Sequence, residues 1–199
     1  MSVLSRRSEI SGVRKATEQS LLDATVALLD QGYAYAELSI EQIVKGAGVS
    51  RPTFYAYFRD KRALILRLGQ DVQQELIAGA EPWLTFAQDE VAPALVALLE
   101  TFKRHASTFR AITEAATYDD EAAAFWRALY DGFLPMVKAR ILADAPDLDE
   151  DDLVARSYAL IWMTERNLSE HIARPTAPEA ALIRQLAWIW STTQGTRLT

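Results

Sequence analysis

The sequence predicts an all-α fold of about nine helices, with a small three-helix head at the N-terminus and a larger helical bundle after it. Three observations predict it. Apolar residues recur at steps of three and four in each periodic segment, and no alternating run marks a strand. Residues 38–68 read as two short capped helices around a glycine turn, then the start of a third helix. Half of the 199 residues are hydrophobic, which excludes disorder for most of the chain.

The first helix is expected over residues 13–31, with Leu21, Ala24, Ala27 and Leu28 inward and Gly32 as its stop. Residues 1–12 read as a mobile arm, either a frayed end or, with Arg6 and Arg7, a basic arm suited to a minor groove. Ser39 caps the next helix and Gln42 reaches back to it, while Ile40, Ile43, Val44 and Ala47 share one face. Gly48 stands at a sharp turn that needs positive φ. Ser50 caps the following helix, and Pro52 lies in its first turn, where the missing N–H costs little. That second helix carries Ser50, Arg51, Thr53, Tyr55 and Tyr57, side chains suited to bases and phosphates.

A connecting helix from Asp60 carries Leu64, Leu68 and Leu76 towards Ala80, and Pro82 breaks or ends it. Val91, Leu95, Leu98, Leu99 and Phe102 trace a helix that starts at Asp89. Helical stretches over 107–118 and 120–143 follow. The acids between Asp147 and Asp152 suit the first turn of a helix over 151–173, where the dipole favours negative charge. Pro175 and Pro178 punctuate the loop before a last helix over 178–193.

The segment G-V-S at residues 48–50, T-F-Y-A-Y-F at 53–58 and D-K-R-A-L at 60–64 resembles the DNA-binding region of TetR-family transcriptional regulators. Two residues depart from that pattern: Arg62 stands where an acid is usual, and Pro52 where a small or polar residue is common. The resemblance implies duplex DNA as partner. Phosphate contacts then fall to Ser39, Lys45, Tyr57 and Lys61, and base reading to Arg51, Thr53 and Tyr55, with Ser50 also at the DNA-binding surface. Phe54 and Phe58 are expected in the core. The domains are expected at 1–60, arm and DNA-binding head, and 61–199, ligand binding and dimerisation.

Charge agrees with that polarity. Residues 1–68 hold ten basic and seven acidic side chains, a net of +3, while the other 131 carry −9 of the total −6. A basic end beside an acidic remainder points one end at phosphate. There is no cysteine, and no apolar run approaches the roughly 20 residues of a membrane span, so a cytoplasmic chain is expected. An enzyme is the rival class, but neither a cofactor loop nor a nucleophile with a base appears. His105 and His171 lack metal-ligand spacing, and neither cofactor nor metal is expected.

All five tryptophans fall after residue 82. Any one of them is more often core than ligand contact, yet a bundle this rich in Trp and Tyr seldom packs dry. Phe102, Trp126, Tyr130, Phe133, Trp162, Met163 and Asn167 are expected around one pocket for a small, mostly apolar ligand. The aromatic bundle and the Asn on the penultimate helix resemble the ethionamide-resistance-repressor subgroup, which implies a long hydrophobic ligand. Tyr158, Ile161, Ile172, Leu182, Leu186 and Ile189 form apolar faces on the last two helices. These faces either pack inside the protomer or pair across a two-fold axis, and the resemblance implies a homodimer. The alternative function is a DNA-binding adaptor whose bundle holds a protein partner and no small molecule.

Overall fold

A computed structural model of the chain describes the backbone of residues 3–195 and the side chains of residues 12–193. Among the described residues there are ten helices and no strand. They are α1 (Val3–Asp30), α2 (Ile40–Ala47), α3 (Arg51–Tyr57), α4 (Lys61–Leu84), α5 (Ala92–Arg104), α6 (Ala106–Ala115), α7 (Asp120–Asp131), α8 (Leu134–Asp144), α9 (Glu150–Ala173) and α10 (Glu179–Gly195). No helix among them is long and apolar enough to cross a membrane.

Two expectations are corrected. Helix α1 starts at Val3, so the arm expected over residues 1–12 is largely helical backbone; the side chains of Arg6 and Arg7 lie outside the described residues. The stretch expected as one helix over 120–143 is two, α7 and α8. Pro135 lies in the first turn of α8; it offers no N–H and its ring crowds the carbonyl four residues back, at Asp131. The chain tightens there, with the Phe133 N–H on the Tyr130 carbonyl at 3.0 Å.

The chain packs as two compact units, Met1–Gln70 with Ser107–Ala123, and Asp71–Ala106 with Ala124–Thr199. This cut differs from one at residue 60, because α6 and the first turn of α7 belong with the N-terminal helices. Helix α4 contributes to both units.

The first unit is built on Leu21, Leu22, Leu29, Ile43, Phe54, Leu64, Ile65 and Ile112, all essentially inaccessible. Ala27 points outward; Thr25, its hydroxyl satisfied by the Leu21 carbonyl at 2.8 Å, takes an inward place in α1. A Cβ on Gly46 would stand 3.2 Å from the Ala24 Cβ, so a larger residue would push α2 off α1. The second unit buries Leu76, Leu95, Leu99, Leu129, Leu160, Leu168 and Leu186, with Trp83 and Trp190 edge-to-face at 5.2 Å. Within it α10 packs against α5 and α8, and α9 against α8 and α5.

Candidate nucleic-acid interface and bundle cavity

The helix-turn-helix follows from its caps. Ser39 Oγ accepts the Gln42 N–H at 3.2 Å, and Gln42 Oε1 accepts the Ser39 N–H at 2.8 Å. Gly48 closes α2 at φ 66°, a left-handed conformation in which a side chain would be strained. Ser50 Oγ then accepts the Thr53 N–H at 3.2 Å, with Pro52 in the first turn of α3. Phe54 and Phe58 face inward, their rings 5.8 Å apart. That burial turns Arg51, Pro52, Tyr55 and Ala56 of α3 outward.

Arg51 and Tyr55 form the exposed pair. The Arg51 guanidinium lies 5.8 Å from the Tyr55 ring centre and 3.4 Å from its hydroxyl oxygen, which holds both side chains extended from α3. Ser50 and Lys45 are also exposed; Thr53 and Tyr57 are half-buried. Tyr57 packs under the Arg14 guanidinium at 5.8 Å, which brings an α1 cation to the same helix.

Lys61 takes a different place from the phosphate contact expected of it. Its ammonium donates to the carbonyls of Tyr35, Ala36 and Leu38 at 2.6, 3.2 and 2.8 Å and lies 4.5 Å from the Tyr35 ring centre. Burial lowers its pKa, and nearby Glu114 acts in the opposite sense. Glu114 on α6 accepts the N–H groups of Tyr35 and Ala36 at 3.0 and 2.9 Å, so the loop before α2 is clamped from both sides. Arg110 adds a bond to the Leu29 carbonyl at 2.9 Å. The hydroxyl of Ser39 is likewise engaged by Gln42, at 2.8 Å.

The second unit holds a cavity of about 60 Å³, room for a handful of waters. Its wall is almost wholly apolar, from Leu76, Trp83, Leu95, Phe102, Tyr130, Phe133, Ile161, Leu168 and Trp190 among others. Of the pocket residues expected from sequence, Phe102, Tyr130 and Phe133 line it. Trp126 and Trp162 stand behind Tyr130, ring centres 5.0 and 4.9 Å away, and are not in the wall. Met163 is also outside it, and the Asn167 amide donates to the Met163 carbonyl at 2.8 Å. Asn167 borders a separate surface hollow with Glu170, His171 and Arg174.

The stripe of α9 that faces the cavity is Ile161, Thr164, Glu165 and Leu168. This is helical spacing one position away from the Trp162, Met163 and Asn167 face. Thr164 and Glu165 are the polar residues that sequence reasoning missed. The i, i+3, i+4, i+7 pattern with two polar members was the available signal.

The apolar faces of α9 and α10 divide in two. Ile161 and Leu186, expected at a dimer interface, are 8% and 2% exposed, covered by their own protomer. Ile172, Leu182 and Ile189 are half-buried, while Tyr158 at 41% and Trp188 at 62% are exposed.

The pattern of bacterial regulatory proteins of the tetR family matches residues 21–68. The chain is 30% identical over 178 residues to the HTH-type transcriptional regulator EthR of Mycolicibacterium smegmatis, covering 84% of this chain and 81% of that protein. It is 32% identical over 182 residues to EthR of Mycobacterium tuberculosis, covering 85% and 83%. A TetR-family transcriptional regulator from Syntrophomonas wolfei shares the fold at TM-score 0.74 and 16% identity, over 93% of this chain and 98% of that one. Similarity to named regulators over more than four-fifths of the chain, a matched DNA-binding segment and a capped helix-turn-helix converge: the chain belongs to the TetR family of bacterial transcriptional regulators.

Proposed function

We propose that the protein is a ligand-responsive repressor, acting in the cytoplasm, that binds a palindromic operator as a homodimer and is released by a small, mostly apolar molecule. The observation that carries the reading is the cavity in the helical unit, whose buried Trp83 N–H and Tyr130 O–H meet no acceptor among the described residues. Buried donors left unmet are costly, and a ligand acceptor removes the penalty. Arg51, Thr53 and Tyr55 read base edges; Ser39, Lys45, Ser50 and Tyr57 meet phosphate.

Two heads enter successive major grooves only when spaced by about 34–36 Å or a multiple of it. Helix α4 runs through both compact units, so a ligand that shifts its second half can change the presentation of the head. Release requires the ligand to bind the DNA-free state more tightly than the DNA-bound state. The adaptor reading draws on the small cavity, but it leaves the unmet donors in that wall without a role.

The test is to select bound duplexes from a random pool, then add apolar compounds to the recovered complex. Selection of a two-fold symmetric site followed by compound-dependent release is the expected result. Selection without release by any apolar compound would favour the adaptor.

A further inference from the structure

The polar groups of the cavity wall have unequal needs. Thr164 is satisfied: its hydroxyl donates to the Leu160 carbonyl at 2.8 Å and accepts the Trp190 N–H at 2.9 Å. Trp83 and Tyr130, 3% and 4% exposed, each hold a donor without an acceptor among the described residues. Glu165, 8% exposed, is a carboxyl in the same apolar wall. One of its oxygens accepts the Ser169 hydroxyl at 2.7 Å. No lysine or arginine pairs with it among the described residues. Its neighbour Arg166 turns outward to Glu170 at 2.8 Å, and Arg140 stacks on Trp83 and Phe86 and donates to the Asp89 carbonyl. Burial pushes the Glu165 carboxyl above its ordinary range, although the Ser169 hydroxyl and Arg166 pull it back.

From this arrangement we infer the class of the ligand, on the reading above that the cavity is the ligand site: an apolar body carrying an N–H donor, as an amine or a primary amide, and not a carboxylate. A carboxylate entering beside Glu165 brings two like charges into a wall that no lysine or arginine lines, so one must take up a proton. An ammonium supplies the missing counter-charge. A primary amide directs its N–H groups to Glu165 and its carbonyl to Tyr130 or Trp83, which answers both kinds of unmet group. The cavity therefore selects by the sign of its polar end, and shape governs only the apolar body.

The test uses one apolar body, larger than the resting cavity so that the wall must open to admit it, with three ends: phenylbutylamine, phenylbutanamide and phenylbutanoate, with butylbenzene as the end-less control. Binding to the full-length protein is followed by tryptophan fluorescence and by the shift in melting temperature. The amine and the amide are expected to bind at least about tenfold more tightly than the acid, the step a hydrogen bond to a charged partner provides. Glu165→Gln keeps the shape and the bond to Ser169, and is expected to abolish the preference of amine over acid. Tyr130→Phe is expected to weaken the amide while sparing the amine. If the acid binds as tightly as the amine, or the ranking survives in Glu165→Gln, the inferred class is wrong while the ligand site stands. If none of the four binds, control included, the ligand-site reading itself fails and the inference with it.

Discussion

The Arg62 guanidinium donates to the Asp119 carboxylate at 2.9 Å, joining the first turn of α4 to the loop before α7. Arg62 also lies 3.1 Å from Glu121 and 3.6 Å from Asp60, and Arg59 meets Glu121 at 2.5 Å. An arginine at residue 62 thus has a local reason: the opposing surface of α7 is acidic. An acid at residue 62 would face three carboxylates. The Asp119 carboxyl is held below its usual range, by the Ala122 N–H first and Arg62 second.

A group whose folded pKa is depressed stabilises the fold above its unfolded pKa, and that contribution is lost as pH falls through the folded value. Arg62→Ala is therefore expected to lower the melting temperature at pH 7, with the deficit shrinking as acid protonates Asp119. High salt should also reduce it, because the network is partly exposed. Melting curves at two pH values check this, and an equal deficit at both would remove Asp119 from the explanation.

Lys61 and Arg51 are expected to fail in different ways. Lys61→Ala removes three charge-assisted bonds to the loop before α2 and is expected to cost about 1–3 kcal/mol of stability. The salt dependence of DNA binding should change little. Arg51→Ala is expected to leave stability intact and to relax discrimination at one base pair by roughly 1–3 kcal/mol. Urea unfolding with binding at several salt concentrations separates them; a salt slope reduced by about one unit in Lys61→Ala would return Lys61 to the phosphates.

The caps of α2 and α3 were legible because they are local. Ser39 with Gln42, Gly48, and Ser50 with Pro52 each settle a helix end within four residues, and the structure has all of them. Legibility ends where distance in sequence begins. The pairing of Arg62 with Asp119 spans 57 residues, and nothing near either residue announces it. The cavity-facing side of α9 is hard to read from sequence for another reason. Successive residues turn by about 100° around a helix, so choosing Met163 in place of Thr164 rotates the whole expected face. Trp162 and Asn167 were attractive by residue type, but burial follows which helices pack on α9. Pro135 was the visible signal for the break between α7 and α8, and apolar periodicity across it hid that break.

Glu165 offers a stability test independent of any ligand. Its folded pKa is raised, so ionisation opposes folding, and stability falls as pH rises through the folded value. Glu165→Gln cannot ionise. It is expected to melt higher than the unmodified protein at pH 8 and close to it at pH 4. A variant that melts lower at both would mean that the carboxyl holds the bundle together through bonds beyond the one to Ser169.

Trp188 tests assembly. With 62% of its surface open on α10, a charge there should leave the protomer intact and disrupt a dimer. Trp188→Glu is expected to sediment as a folded monomer with weakened operator binding, against a dimer for the unmodified protein. Sedimentation of both at micromolar concentration decides it, and an unmodified monomer would contradict the paired assembly.

The most direct test of ligand gating is reciprocity, because effects between two sites must be equal in both directions. Phenylbutanamide affinity is measured with and without the selected operator duplex, and operator affinity with and without saturating phenylbutanamide, at one salt concentration. The account predicts that each partner weakens the other by the same factor, at least about fivefold, the lower end of ordinary allosteric coupling. Tight binding of the amide with the same affinity whether or not DNA is bound would contradict it.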